Sequence, residues 1–369
     1  MKIIVAPDSF KGNMRSSTVC EIIKQAVLRE MPDAEVLTFP MADGGEGTVD
    51  AVVEATGGTF QTLEVTGPLG GTVEAQYGIL PNGTAVMEMA SASGIELVSA
   101  EQLNPMEATT FGTGELVKHL IETGHTSIVM GIGGSATVDG GTGMAQALGY
   151  RFLDHTGKEL SERGGKILPM IGRIDASNIF QRLEHTNIRV ACDVTNPLIG
   201  SNGAAAVFGP QKGATPDMVE LLDVGLSNLW KIAGTEGAPG DGAAGGLGYG
   251  LRAFCNAEIV SGAHLIAQTV GLSEVLAGAD LLITGEGRTD GQSLQGKLCP
   301  VIAAMAKERG AKTLLVSGAL AGELDPFLEV FDYAFSISAG HSSMEACIAH
   351  APEDLAFVIQ NVMRILSKG

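Results

Sequence analysis

A glycine-rich stretch near the end of the chain has the spacing of a phosphate-binding loop. Residues 281–298 read LLITGEGRTDGQSLQGKL, and Gly291 to Lys297 match the first seven positions of the pattern G-x-x-x-x-G-K-[ST]. In that pattern, backbone N–H groups hold the phosphates and the last hydroxyl binds Mg²⁺. Here Leu298 replaces the hydroxyl, and the predicted strand ends well before the loop, at Thr284. The spacing therefore argues against a working P-loop and leaves open whether it is a coincidence or another way of handling phosphate.

Charged side chains crowd the same stretch. Glu286, Arg288, Asp290 and Lys297 lie among glycines after the predicted strand. Ligands of open α/β sheets bind outside the carboxyl ends of strands. The concentration of charge therefore favours a binding site over an ordinary surface loop.

A second glycine-rich loop competes for a nucleotide. The predicted strand 127–130 leads into Gly131 to Ala136, which satisfies G-x-G-x-x-G/A, and Asp154 follows near the position of a ribose-binding acid. This pattern supports an alternative function, that of an NAD-dependent 2-hydroxy-acid dehydrogenase. Against it, residues 138–143 are rich in glycine where the first helical turn should begin, and glycine disfavours helix. A phosphate nest fits either kind of nucleotide, and its predicted members are Gly133, Gly134 and Ser135.

Carboxylates and a lysine follow other predicted strands. Asp8 and Lys11 follow the first strand, Asp43 and Glu46 the second, and Asp193 a later one. Each aspartate alone has a structural explanation, because Asp often caps helices and turns. Together they suit phosphoryl transfer, which needs Mg²⁺ ligands, a cation on the moving group and a base that positions the acceptor. The seven histidines show no metal-binding spacing, and His341, in AGHSS, is the one that we single out as a candidate functional residue.

The elements that would position these residues alternate between strand and helix. We predict an apolar first strand over 2–6, a helix whose apolar face spans 19–27 behind a Thr18–Glu21 capping box, and a second strand over 35–39. The alternation returns near the C-terminal end, with strands at 281–284, 313–316 and 333–337 and a helix at 301–309. Such alternation indicates a parallel sheet with crossover connections.

Residues 61–99 have a different pattern. Short apolar runs are interrupted there by Gly67-Pro68, Gly70-Gly71 and Pro81-Asn-Gly83, which indicates antiparallel hairpins and a change of domain. The pattern of residues 112–270 is again α/β. We therefore predict one domain from residues 1–65 and 275–369 and an inserted domain from residues 66–274.

Composition narrows the classes of function. With 369 residues and 45% hydrophobic content, the chain is long enough for two packed domains. A net charge of −19 argues against nucleic-acid binding. No apolar run is long enough for a membrane helix. The first residues turn polar too soon for the pattern of a signal peptide and instead predict a first strand. Five scattered cysteines predict reduced thiols and a cytoplasmic location. Glycine, at 51 residues, is unusually frequent and suits backbone contact with anions.

Five blocks together carry a resemblance. VAPDSFKG, MADGGEGT, GIGGSATVDGGTGM, DVTNPLIGSNGAAAVFGPQKGA and ITGEGRTDGQSLQGK occur in this order across essentially the whole chain. They resemble the bacterial glycerate kinase family, which includes the glycerate 2-kinases of glyoxylate and sugar-acid catabolism. The resemblance implies transfer of the ATP γ-phosphoryl group to D-glycerate with Mg²⁺. It also implies two α/β/α domains, with the domain of the chain ends Rossmann-like, the inserted domain flavodoxin-like, and the active site in the cleft between them.

Residue roles are assigned from charge and chemistry. We expect Lys11, as a catalytic residue, with Arg288 and Lys297 to bind the substrate carboxylate and the transferred phosphoryl group. Further predicted substrate-binding residues are Asp8, Ser9 and Asp290. We expect the loop of Gly133, Gly134 and Ser135 to hold ATP phosphates, and Asp43 and Glu46 to bind Mg²⁺. Asp193 is the predicted base, although capping of the turn before Pro197 explains it equally well. The sequence leaves open whether the hydroxyl at C2 or at C3 is phosphorylated.

Overall fold

The computed structural model describes residues 1–291, 293–294, 297–323, 325–338, 340–341 and 343–368. The strands, in chain order, are β1 Lys2–Val5, β2 Glu35–Thr38, β3 Thr59–Thr66, β4 Thr72–Ile79, β5 Ala85–Glu88, β6 Ser127–Gly131, β7 Arg151–Leu153, β8 Arg173–Asp175, β9 Asn187–Ala191, β10 Glu258–Val260, β11 Leu281–Thr289, β12 Lys312–Leu320 and β13 Tyr333–Ser336.

The α-helices alternate with these strands. They are α1 Ser16–Glu30, α2 Thr48–Thr56, α3 Ala90–Ser93, α4 Phe111–Glu122, α5 Thr142–Ala147, α6 Ala204–Phe208, α7 Pro216–Ala233, α8 Ala243–Cys255, α9 Gly262–Thr269, α10 Leu272–Val275, α11 Leu298–Lys307, α12 Asp325–Val330 and α13 Met344–Leu366. Short 3₁₀ helices cover Ile95–Leu97, Ala100–Gln102, Gly165–Met170, Gln181–His185 and Pro210–Lys212. In the described ranges, no helix combines the length and apolar character that crossing a membrane requires.

The chain divides into two compact units. The first unit contains residues 1–43, 50–57 and 262–369, and the second contains residues 44–49 and 58–261. These limits differ slightly from the boundaries at 65 and 275 expected from the sequence. Strand β3 belongs to the second unit because it pairs along its whole length with β4.

The first unit is built on a five-stranded parallel sheet with the order β2-β1-β11-β12-β13. Numbered by their order within the unit, the strands run 2-1-3-4-5, which is the flavodoxin-like arrangement. The Rossmann-like label predicted for this domain is therefore wrong in detail, because a Rossmann sheet places its third strand beside its second. Here the chain returns from the inserted segment to pair β11 with β1.

Helices pack on both faces of this sheet. Leu314 and Val316 of β12 contribute to a core with helices α1 and α13, whereas Leu315 faces a smaller core with α11 and α12. The alternation follows from the strand geometry, in which successive side chains point to opposite faces. A sheet covered on both faces explains why the buried parts of its central strands are apolar, such as Ile3 to Val5 of β1 and Leu281 to Ile283 of β11.

The second unit is built on a six-stranded mixed sheet with the order β10-β9-β6-β5-β4-β3. Strands β5, β6, β9 and β10 are parallel to their neighbours in this group, while β3, β4 and β5 form the predicted antiparallel hairpins. The flavodoxin-like label expected for this unit does not describe such a sheet, since flavodoxin-like sheets are parallel. Strands β7 and β8 form a separate ribbon.

Two local predictions differ from the structure. Strand β11 does not end at Thr284 but continues to Thr289, because Glu286 to Thr289 stay in register with β12. Helix α1 begins at Ser16, so Thr18 lies inside the first turn and no side chain caps the helix at Arg15. The predicted Thr18–Glu21 capping box is therefore wrong.

Candidate functional site

A cavity of about 620 Å³ opens in the first unit where its strands end. The order of the sheet reverses at β1, since β2 lies on one side of it and β11 on the other. Loops that leave such a switch point in opposite directions create a crevice for ligands. Residues after β1 and within β11 line the cavity, together with the beginning of α13.

One wall of the cavity is acidic. The carboxyl groups of Asp8, Asp43 and Glu286 all line it. Burial, the nearby charge of Asp43 and, more weakly, that of Glu286 raise the pKa of Asp8 to about 7, although the Ser9 N–H donates to Asp8 at 2.6 Å. Burial also raises the pKa of Glu286. Such perturbed carboxyl groups in a cavity are typical of functional sites.

Three cations line the same cavity. Lys11 follows β1, Arg288 lies near the end of β11, and Lys297 immediately precedes α11, and all three side chains are solvent-exposed. The first unit thus brings together the predicted substrate-binding cations. Asp290 lies close by, with its carboxylate 3.8 Å from the Arg288 guanidinium and an N–H bond from Ser293.

Strands β11 and β12, which both contribute residues to the cavity, approach each other closely. A side chain at Gly285 would place its Cβ 1.9 Å from the carbonyl oxygen of Val316, and one at Gly318 would lie 2.3 Å from that of Gly287. Only glycine fits at these positions. The glycines therefore let β11 and β12 stay paired while they carry charged residues to the cavity.

His341 and Asp354 form a hydrogen-bonded pair in the cavity wall. The Nε2 atom of His341 lies 2.8 Å from Oδ2 of Asp354 on α13, and the His341 ring stacks on that of His350. Both members of the pair line the cavity. Sequence reasoning noted His341 but missed Asp354, because only folding brings α13 beside the loop.

The second glycine-rich loop lies in the second unit, after β6. Gly133 and Gly134 are exposed, and Gly134 has a left-handed φ of 71°. Within the described part of the chain, no acceptor is assigned to the N–H groups of Gly133, Gly134 or Ser135. Consecutive open N–H groups around a left-handed residue form a concave anion-binding surface.

A buried lysine supports this loop from within the unit. Lys212 is only 1% exposed, and its Nζ donates to the Ser135 hydroxyl at 2.6 Å and to the Thr137 carbonyl at 2.7 Å. Sequence reasoning missed Lys212. A lysine between glycines in GPQKGA was visible in the sequence, but nothing local indicates that it is buried.

Glu46 and Asp193 belong to the same edge of the second unit. The segment that holds Glu46 packs there, since a Cβ at Gly133 would lie 2.9 Å from the Cα of Gly45. Asp193 follows β9, which pairs in parallel with β6. Both side chains are exposed. The sequence-predicted residues therefore fall into two sets, with Glu46, Asp193 and the Gly133–Ser135 loop in the second unit and the others in the first.

The P-loop-like spacing has a structural explanation. Leu298 begins α11 and is 2% exposed, so the position of a P-loop hydroxyl is part of the core. Leu298 also lines the cavity of the first unit, where its apolar side chain offers no oxygen to a metal. Gly296, the second glycine of the pattern, lies outside the described residues.

The dinucleotide pattern does not have its expected structure. Asp154 follows β7, which pairs only with β8 among the described strands and is not beside β6 in the sheet. Its carboxylate instead accepts hydrogen bonds from Thr156 and from the Lys158 N–H, which hold a turn and keep the pKa of Asp154 below its usual value. The acid of the dehydrogenase alternative is therefore a turn residue.

The cavity of the first unit offers donors that suit Mg²⁺. Asp8 and Asp43 are hard oxygen ligands whose mutual repulsion a divalent cation would relieve. In the described ranges, no three His, Cys, Asp or Glu side chains are arranged to hold a metal by themselves. Mg²⁺ usually takes only one or two carboxylates and completes its shell with phosphates and water. The residues therefore fit a cation that arrives with a nucleotide.

The first unit carries cations and carboxyl groups, and the second carries an open glycine-rich loop that suits phosphate. These features are typical of a phosphotransferase. The chain belongs to the glycerate kinase family, which it matches over residues 3–367. It is 42% identical to the glycerate 2-kinase of Escherichia coli K12, with 100% of this chain and 99% of that protein covered. It is 43% identical to the glycerate kinase of Bacillus subtilis 168, with 96% and 94% covered.

A solved structure agrees with this membership. The crystal structure of a Salmonella typhimurium LT2 protein assigned as glycerate kinase 2 has a TM-score of 0.90 and 42% identity, and covers 100% of this chain and 99% of that one. The predicted α/β class and the predicted family are therefore confirmed. The enzyme is a kinase.

Proposed function

We propose that this protein transfers the γ-phosphoryl group of ATP to the C2 hydroxyl of D-glycerate. The observation that carries this proposal is the full-length similarity to the glycerate 2-kinase of Escherichia coli, at 42% identity. Transfer to C3, with 3-phosphoglycerate as the product, is the alternative. A place in glyoxylate or sugar-acid catabolism and a cytoplasmic location, expected from the scattered free cysteines, belong to the same proposal.

The reaction suits the charged residues that the sequence predicted for the site in the first unit. Lys11, Arg288 and Lys297 bind the glycerate carboxylate and the equatorial oxygens of the moving phosphoryl group, where negative charge spreads during transfer. Their positive charge is needed locally because the protein as a whole is strongly acidic. Asp8, Ser9 and Asp290 orient the substrate and these cations. Mg²⁺ would neutralise charge on the phosphates, and its proposed ligands are Asp43 of this unit and Glu46 of the second unit.

The second unit supplies the remaining groups. The N–H groups of Gly133, Gly134 and Ser135 hold ATP phosphates. The glycerate oxygen forms a bond to the γ-phosphorus while the bond to the β-γ bridging oxygen breaks. Asp193 accepts the hydroxyl proton, and ADP leaves with the electron pair of the broken bond.

Turnover with purified protein tests the function. We expect ADP to form from ATP and Mg²⁺ only when D-glycerate is present, and L-glycerate serves as the matched control. Hydroxypyruvate formation with NAD in place of ATP would instead support the dehydrogenase alternative. ATP binding without any turnover would overturn the kinase proposal.

A further inference from the structure

Lys212 is a buried basic residue that the roles above do not use. Its side chain is 1% exposed, and within the described part of the chain its Nζ donates to two uncharged oxygens, the Ser135 hydroxyl and the Thr137 carbonyl. Lysine is almost never fully buried unless a partner compensates its charge. The position of Lys212 behind the glycine-rich loop therefore calls for an explanation.

The nearest compensating charge is already committed to other groups. Asp139 is fully buried and accepts hydrogen bonds from the N–H and hydroxyl of Thr110, at 2.8 and 2.9 Å, and from the N–H groups of Gly141 and Gly143, at 3.0 and 3.2 Å. These donors satisfy its carboxylate without Lys212. Burial lowers the pKa of Lys212 to about 7, and the charge of Asp139, the one charge that acts on it in the described part of the chain, offsets this only partly. The amine thus titrates near neutral pH.

The loop above Lys212 is open toward solvent. Gly133 and Gly134 are exposed, while the Ser135 side chain is buried and accepts from Lys212. An anion held by the open N–H groups would lie on the opposite side of a single loop from the amine. Its charge would stabilise the ammonium form of Lys212, because electrostatic interactions are strong where water is excluded.

We propose that Lys212 is a positioning residue of the anion site formed by Gly133, Gly134 and Ser135, and that it takes up a proton when a phosphate-bearing ligand binds there. The identity of that ligand as ATP rests on the proposed function. Lys212 fixes Ser135 and Thr137 and so sets the direction of the loop N–H groups. The solvent supplies the proton, and the added positive charge balances part of the negative charge of the ligand.

Calorimetry in buffers of different ionisation enthalpy measures this proton uptake. At about pH 8 the free amine is mostly neutral, so binding of Mg-ATP to the wild type should take up close to one proton, and at about pH 6 much less. Lys212→Met should lose this uptake and bind Mg-ATP roughly tenfold more weakly, as expected for loss of one charge-assisted contact. Lys231→Met, at an exposed position of α7, is the control. Equal uptake by Lys212→Met and wild type would overturn the proposal.

A second measurement does not depend on a variant that folds. In wild-type protein with carbon-labelled lysine, one side-chain signal should titrate near pH 7, well below the ordinary lysine value of 10.5. Inorganic tripolyphosphate should move that titration upward by about two pH units, the shift that uptake of close to one proton at about pH 8 requires. A lysine titration that tripolyphosphate leaves unchanged would contradict the proposal.

Glycerate-dependent ADP formation by the same wild-type preparation separates the two proposals. Turnover without proton linkage would overturn the role of Lys212 and leave the kinase function standing. Proton linkage without turnover would support the anion site and overturn the proposed function.

Discussion

The carboxyl groups of Asp8 and Asp43 line one cavity, and the charge of Asp43 opposes ionisation of Asp8. Together with burial, which is the larger effect, this charge raises the pKa of Asp8 to about 7. The folded protein therefore retains a group whose ionised form is unfavourable. Such an arrangement is retained where a ligand or cation relieves it, which is why we assign this wall of the cavity to the substrate and Mg²⁺.

Asp8→Asn should stabilise the protein at neutral and higher pH while it lowers activity. The folded pKa of Asp8 exceeds its ordinary value of 3.8, so the wild type loses stability as pH rises from about 4 to about 7. The variant escapes this loss, which should amount to roughly 1–3 kcal/mol after solvent screening. Unfolding curves in Mg²⁺-free buffer measure the difference in free energy of unfolding between the variant and the wild type. If that difference did not depend on pH, it would contradict the conclusion that burial and the charge of Asp43 raise the pKa of Asp8.

Lys11→Ala should lower turnover by roughly 10²-fold or more, as is usual when one group that stabilises transition-state charge is removed. Its side chain is exposed in a small loop, so its removal should leave the melting temperature unchanged. Lys307→Ala, at an exposed position in the last turn of α11, is the matched control. Wild-type kinetics in the Lys11 variant would remove this residue from the site.

Gly134→Val should weaken ATP binding and leave directly measured glycerate affinity unchanged. A β-branched side chain is strained at the left-handed φ of 71° and would obstruct the approach of phosphates to the loop. Gly70→Val is a suitable control, because Gly70 also has a left-handed φ of 89° but has open space around it. Loss of glycerate binding alone would place this loop on the acceptor side.

Asp193→Asn should reduce kcat by roughly 10²–10⁴-fold, the usual contribution of a positioned general base. The KM for ATP should hardly change, since Asn keeps the size of the side chain and removes its charge. Asn caps turns nearly as well as Asp, so an active and equally stable variant would support the turn-capping role instead. A weakened ATP affinity that excess Mg²⁺ restores would make Asp193 a metal ligand. Kinetics in both substrates distinguishes these outcomes.

The local residue pattern was sufficient to predict several of the strands that position the site. Apolar runs between glycine-rich loops predicted β1, β6 and β9, and the residues after them stand at strand ends as expected. The end of β11 could not be predicted, because Arg288 is held in the strand by pairing with Ala319, which is distant in the sequence. The same limit applies to the order of the sheet, which depends on where the chain returns after the insertion.

Burial was the property that sequence reasoning could not supply. Lys212 reads as a surface lysine between glycines, and its contact with Ser135 spans a separation of 77 residues. From its spacing, Asp154 resembles a ribose-binding acid. The structure shows instead that it follows β7, which pairs with β8 in a separate ribbon. Leu298 reads as a defect in a P-loop until its place in the core is known.

Phosphorus NMR of the product formed from ATP and D-glycerate tests the central claim most directly. Transfer to C2 gives a phosphate signal coupled to the single proton on that carbon, which is the result we expect. A signal coupled to the two protons on C3 would contradict the assignment as a 2-kinase and place the other hydroxyl at the γ-phosphorus. Absence of any glycerate-dependent phosphate ester would contradict the kinase function itself.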